Sequence, residues 1–440
     1  MDTLISNVTA VTMNEKTDVL FGAYIGIENG KIAYIGKTAP DTQPKTIIDG
    51  TGMVAMPGLI NCHTHLATSV LRNFVDDAEK REALEQLLTR QDKLDNRSAK
   101  AAALLAIAEC LRFGITSVSD LYYYPEATAQ AVKDSGIKAN LALSAYRFID
   151  QNEEFDFEKD AQCRELVRLV DTWHGYDDDR IRIDGGIYAE YTSNYQLWEG
   201  IADFAAEKNV RIQLHLSETA EEAESCEDRT GLPPAELLAC HRLFRVPVTA
   251  ATCACLREEE RTALGKYKAS AVATPIASAK MGQPATPVKD LVKAGMNVAL
   301  GTGGATECGN LDMFEVMRAV TLQTRQEAGN ADALPAIAPL MMATVCGAKA
   351  QGRTDCGMLK EGLDADIILI DFSAPHLLPC HNVPAGLVFS AKGGDVAMTM
   401  VRGKILYQNG RFPTIDLNAV VSEIMEYAIP RLLGESKEEQ

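Results

Sequence analysis

The chain has 440 residues, enough for one large domain with an appendage or for two or three ordinary ones. An apolar fraction of 46% and a charged fraction of 24% fit a soluble globular protein, and a net charge of −18 repels a phosphate backbone, which argues against a nucleic-acid partner. No apolar run is long enough to span a bilayer, and the start "MDTLISNVTAVTMNEK" lacks a basic-then-apolar leader, so a cytoplasmic location without membrane association is expected.

The first segment alternates as strands do: "TLISNVTAVTM", "AYIGIENGKIAYIG" and "KTIIDGTGMVAM", broken by turn signals such as Glu28-Asn29-Gly30. From "GLINCHTH" onward, short apolar strands alternate with longer amphipathic helices. The strands are "ITSVSDLY", "KANLALSAYR", "IRIDGGIYAE", "VRIQLHLSE", "PVTAATCACL", "ASAVATPIAS" and "MNVALGT". Helical patterns between them include "SAKAAALLAIAECLRFG", "YQLWEGIADFAAEKN" and "DMFEVMRAVTLQTRQEAG". Eight such units predict a (β/α)8 TIM-like barrel. Strand texture returns in "ADIILIDF" and "VAMTMVRGKILYQNGRF". The expected order is therefore a β-sandwich half over 1–56, the barrel over 57–357, the other sandwich half over 358–413, and a terminal helix and tail over 414–440. Eleven dispersed cysteines in a chain of this size read as free thiols.

His63 and His65 end the first barrel strand. Residues i and i+2 of a strand share a side, so two imidazoles at this spacing converge on one ion at the barrel's C-terminal mouth. His215 ends the fifth strand, and Glu218 follows in the next loop. A histidine ligand with a nearby carboxylate is the layout of a metal-activated water and its general base. Without the other pair, His215 and Glu218 would read as a core-edge histidine and a helix-capping glutamate. His174, His241, His376 and His381 fall away from the predicted mouth and read as structural or surface residues.

With "MPGLINCHTHL", "LHLSET", "VALGTGGA…NLDMFEVMR" and the late "GLDADIILID" in this order, the chain resembles the amidohydrolase superfamily from about residue 2 to residue 412. Within it, the pattern is similar to methylthioadenosine/S-adenosylhomocysteine deaminases and related chlorohydrolases. The resemblance implies hydrolysis of a C–N bond in a small cyclic amidine or amide, an aminopurine nucleoside or another heterocycle. It implies one divalent metal, zinc in most members, held by His63, His65 and His215, with Glu218 as the proton carrier. It also aligns Glu85 in "EALEQLL" with an acid that holds ribose hydroxyls, for which a solvated helix residue is the plain alternative.

The mouth departs from that family pattern. A histidine expected on the sixth strand falls on Thr252, which can hydrogen-bond but cannot carry a proton at neutral pH. A histidine after the fourth strand falls on Tyr188, and Tyr188 and Thr252 become candidate substrate-binding residues. The aspartate of the eighth strand falls on Gly303, and the seventh-strand pattern has become "TPIASAK". Glu307 and Cys308, just beyond Gly303, are candidate substitute ligands. Cys253 and Cys255 would lie on the side of their strand opposite Thr252. Three neutral imidazoles leave a +2 ion uncompensated, so weak or partial occupancy is expected, and Gly303→Asp is expected to tighten binding. The alternative reading is a catalytically inactive pseudoenzyme that binds a small molecule or supports assembly. Homo-oligomerisation is left open.

Overall fold

The computed structural model describes residues 1–74, 76, 86, 87, 89–147 and 155–434. Its strands, in chain order, are β1 (Thr3–Val11), β2 (Val19–Glu28), β3 (Lys31–Gly36), β4 (Thr46–Asp49), β5 (Met53–Pro57), β6 (Leu59–His65), β7 (Ile115–Tyr122), β8 (Lys138–Leu143), β9 (Ile181–Gly186), β10 (Ile212–Leu216), β11 (Val248–Thr252), β12 (Ser270–Ala273), β13 (Asn297–Leu300), β14 (Gly303–Gly304), β15 (Ile367–Asp371), β16 (Val396–Val401) and β17 (Lys404–Gln408).

Two sheets use all of them. One runs β13-β12-β11-β10-β9-β8-β7-β6-β14 with parallel pairing throughout. Because β14 follows β13 after two residues and pairs with β6, the two together are the eighth strand, and the sheet closes as the (β/α)8 barrel. The seven residues of β6 are all buried, as are the five of β10, which is the signature of strands covered on both faces. Helices return the chain between strands. Asp95 caps Asn96–Arg112 by accepting from the Ser98 N–H, and Asn194 caps Tyr195–Lys208 through Leu197 N–H.

The second sheet runs β17-β16-β15-β5-β1-β2-β3, with β4 also on β1. It unites the two ends of the chain, since β15 lies antiparallel to β5 with Ile367 opposite Pro57. Its apolar core is its own: Ile5, Val8, Ile25, Ile27, Ile32, Ile367, Leu369 and Met398. Lys138 of β8 ties the barrel to the segment entering β15. It is fully buried and pairs with Asp355, Asp364 and Asp366 at 2.9, 2.9 and 2.7 Å. Helices at Leu417–Glu423 and Ile429–Leu433 then pack back on the barrel, where Tyr427 donates to Asp95 Oδ2 at 2.6 Å. Among the described residues, no helix is long and apolar enough to cross a membrane, and the eleven cysteines are free.

Candidate active site

The barrel mouth brings three histidines together. The candidate ligand atoms of His63, His65 and His215 lie within 4.8 Å of one another. Ring centroids are 4.8 Å apart for His63–His65 and for His63–His215, and both pairs are nearly perpendicular. The strand register produces this, because β6 and β10 both stop at their histidine-bearing ends on the same rim.

Backbone carbonyls orient two of the rings. His65 Nδ1–H donates to Leu121 O at 2.8 Å, and His215 Nδ1–H donates to Tyr188 O at 2.8 Å. Each bond engages Nδ1, sets the ring orientation and leaves Nε2 as the ring nitrogen free to face the cluster. Burial, then the neighbouring imidazoles, holds His63 well below the ordinary imidazole range. Burial and His65 likewise depress His215, against the opposing effect of its bond to Tyr188 O. Three converging imidazoles, two of them oriented by a backbone carbonyl, are a donor set that a zinc ion takes.

The strand carrying His63 is held from the eighth strand. Asn61 Nδ2 donates to Thr302 Oγ1 at 2.8 Å, and Thr302 N–H donates to Asn61 Oδ1 at 3.1 Å. Gly301 matters through space, since a Cβ there would sit 2.9 Å from the His63 backbone and Cβ. Asp120 is a buried carboxylate beside His65. It accepts the Leu66 N–H at 2.6 Å, and burial pushes its carboxyl up to about 6.

Glu218 follows β10 by two residues, after Ser217 at φ +49°. The helix Ala220–Thr230 is capped by Thr219, with Glu222 reaching back from its third position, so the capping role weighed for Glu218 falls to that pair. Thr219 Oγ1 accepts the Glu222 N–H at 3.1 Å, and the Glu222 carboxylate reaches back to the N–H groups of Ser217 at 3.0 Å and Glu218 at 2.7 Å. That is a capping box displaced toward the strand. Burial raises the Glu222 carboxyl.

Tyr188 packs beside His215 at the mouth. Its ring centroid is 4.9 Å from that of His215 and 6.3 Å from Tyr191. Burial pushes its phenol far above the ordinary range, and the charges of Glu218 and Glu307 add to that shift.

Thr252 is buried at the end of β11, with φ +72°, and Cys253 follows at φ +52°. Two successive left-handed residues end the strand, so the alternation expected through Cys255 stops at Thr252. The Cys253 thiol turns to Ala250 O at 3.6 Å, and the Cys255 thiol to Glu218 O at 3.9 Å. Neither belongs to the histidine cluster.

The two candidate substitutes beyond Gly303 separate. Cys308 donates to Gly304 O at 3.1 Å and to Asn310 O at 2.6 Å, which turns it into its own loop, and burial raises its thiol to about 12. Glu307 instead reaches the cluster, with Oε1 3.9 Å from His65 Nε2. Gly303 has φ +72°, and a Cβ there would lie 2.5 Å from Glu307 Oε2. The expected tightening by Gly303→Asp therefore requires the new side chain to displace the tip of the flexible Glu307 side chain, exchanging one carboxylate for another. Glu85 lies outside the described residues. Residues whose roles rest on backbone reach, Glu222 and Asp120 among them, carry no spacing that singles them out in advance, although Thr219-x-x-Glu222 is a readable capping pattern.

The amidohydrolase family profile matches residues 54–406. A 5-methylthioadenosine/S-adenosylhomocysteine deaminase of Thermoanaerobacter pseudethanolicus is 34% identical over 97% of this chain and 99% of its own length. A zinc-bound adenosine deaminase from Xanthomonas campestris superposes with a TM-score of 0.91 at 26% identity, covering 98% of this chain and 99% of that one. A zinc complex of the atrazine chlorohydrolase from Arthrobacter aurescens superposes with a TM-score of 0.88 at 26% identity, covering 97% and 100%.

Proposed function

The chain belongs to the amidohydrolase family, and from that premise we propose that it hydrolyses the exocyclic C–N bond of a small amino-heterocycle of the adenosine type, releasing ammonia. The observation that carries this reading is the convergence of His63, His65 and His215 within 4.8 Å at the mouth, with Glu218 on the adjoining loop.

His63, His65 and His215 would hold a divalent ion, zinc being the metal bound by the two solved neighbours, and such an ion would supply Lewis acidity at the mouth. Glu218 would take a proton from the attacking water as the C–O bond forms at the ring carbon and pass it to the ring nitrogen. Glu218 would then carry the second proton, from the hydroxyl now on the ring carbon, to the amino nitrogen; the C–N bond breaks, the carbonyl forms and ammonia leaves. Tyr188 and Tyr191 offer aromatic faces to a planar ring. Thr252 contributes a hydroxyl and no proton transfer. Glu218 then performs alone a task that a second acid–base group would share, and such a group typically contributes about 10²- to 10⁴-fold. A slow but real turnover follows.

The test is ammonia release by the zinc-loaded protein from adenosine, methylthioadenosine, S-adenosylhomocysteine, an aminopterin-type ring, an aminotriazine and a cyclic amide. Release from the purine nucleosides, lost in Glu218→Gln, is the expected result. Saturable binding with flat ammonia curves across the panel would overturn it in favour of a binding protein.

A further inference from the structure

We infer that Glu307 takes the place of the side chain missing at position 303 and delivers a carboxylate to the three-histidine cluster from the loop after the eighth strand. This rests on the metal reading of His63, His65 and His215.

Position 303 is in register with Thr64, one residue before His65, and position 304 is in register with His65 itself. A side chain at 303 would therefore emerge at the height of the cluster. It would also emerge into occupied space, since its Cβ would lie 2.5 Å from Glu307 Oε2. The carboxylate thus fills the volume that glycine leaves open. It is pinned there by the Gly304 N–H, which donates to Oε2 at 2.9 Å. The other oxygen, Oε1, lies 3.9 Å from His65 Nε2, the ring nitrogen that the Leu121 carbonyl does not engage. The short helix Ala305–Cys308 provides the reach, since it turns back directly after β14 and places its third residue beside the first of that strand. The Glu307 side chain is 35% exposed, so it faces the open mouth and is not sealed in the core.

The chemistry fits. Three neutral imidazoles plus one carboxylate bring a +2 ion to a net charge of +1, and carboxylate oxygen is an ordinary zinc ligand beside histidine nitrogen. Glycine at 303 and glutamate at 307 are then a compensated pair, each tolerable because of the other.

The experiment measures zinc affinity of the metal-free protein by competition with a chromophoric chelator, with the visible spectrum of the cobalt-substituted protein as a second readout. Glu307→Gln keeps an oxygen for the Gly304 N–H and removes the charge. It should weaken zinc by about 10-fold or more, the scale on which even outer groups act at such sites, and change the cobalt band. Gly303→Asp alone should not tighten binding. Gly303→Asp with Glu307→Ala should recover most of what Glu307→Ala loses, and Gly303→Asn with Glu307→Ala should not. Thermal melts of the metal-free variants control for folding. Wild-type affinity and an unchanged cobalt spectrum in Glu307→Gln, with zinc lost in His215→Ala, would overturn this inference and leave the histidine site standing. A wild type that takes up no zinc would remove the histidine site, and this inference with it.

Discussion

Glu222→Ala should loosen the turn that presents Glu218 while leaving the barrel intact. The Glu222 carboxylate is buried and accepts two backbone N–H groups at 3.0 and 2.7 Å. Alanine removes both acceptors at once. Leaving a buried donor unpaired costs about 1–3 kcal/mol, so two would cost roughly 2–6 kcal/mol. Burial already disfavours the ionised carboxyl, as its raised pKa shows, and removing it refunds part of that cost. A local loss of about 2–3 kcal/mol remains, equivalent to roughly a 30- to 150-fold faster amide exchange by local opening. The assay is hydrogen exchange followed by mass spectrometry on peptides covering 212–222, with a peptide from β7 as the internal reference. Steady-state kinetics on the best nucleoside from the ammonia panel accompany it. The displaced Glu218 should lower kcat by more than 10-fold, with KM nearly unchanged, because the proposed ring contacts of the substrate, on Tyr188 and Tyr191, are not made by Glu218. Unchanged exchange at 217 and 218, or a loss spread evenly over the barrel, would refute the reasoning.

Removing metal with a chelator should abolish ammonia release, and zinc should restore it. Activity that survives exhaustive chelation, with no zinc left by elemental analysis, would contradict the histidine site. Burial pushes the Asp355 carboxyl up, but the charge and hydrogen bond of Lys138, with Arg353, outweigh it and hold the group well below the usual carboxylate range. A depressed folded pKa contributes stability above the unfolded value of about 3.9, and that stability is lost as pH falls through the folded value. Asp355→Asn should therefore melt below wild type at about pH 7, with the gap closing as the pH falls below about 4. A gap that widens on acidification would show the opposite sign. Thiol alkylation near neutral pH should label exposed Cys240 and spare Cys253 and Cys308, both buried with raised thiol pKa values. Rapid labelling of Cys308 in the native protein would mean that its loop opens.

The barrel and the histidine cluster were legible because both rest on short periods. Strands repeat every two residues, so His63 and His65 share a side, and an apolar strand that ends in His215 puts it on the rim. The same rule failed at Thr252–Cys255 because two left-handed residues end the strand, and nothing in a threonine-cysteine pair announces a positive φ. Glu307 and Cys308 looked alike as neighbours of Gly303, and one turn of helix decided between them. It carries the glutamate over the glycine and folds the thiol onto Gly304 O and Asn310 O. The orienting partners of the histidines were invisible for a different reason. They are the carbonyls of Leu121 and Tyr188, and every residue has a carbonyl.

The pairing of β5 with β15 has a consequence for synthesis. Pro57 lies opposite Ile367, so the edge of β5 meets its partner only after about 300 further residues have been made. At roughly 5–20 residues per second, that is an interval of roughly 15–60 s on the ribosome. Throughout it, β1 to β5 can pair with one another, but the outer edge of β5, with buried Val54, Ala55 and Met56, has unpaired amides and carbonyls and an uncovered apolar face. The nascent barrel, a far larger body, is assembled beside this open edge before β15 arrives to close it. An apolar strand edge left open in this way is a template for pairing with another chain until β15 closes it.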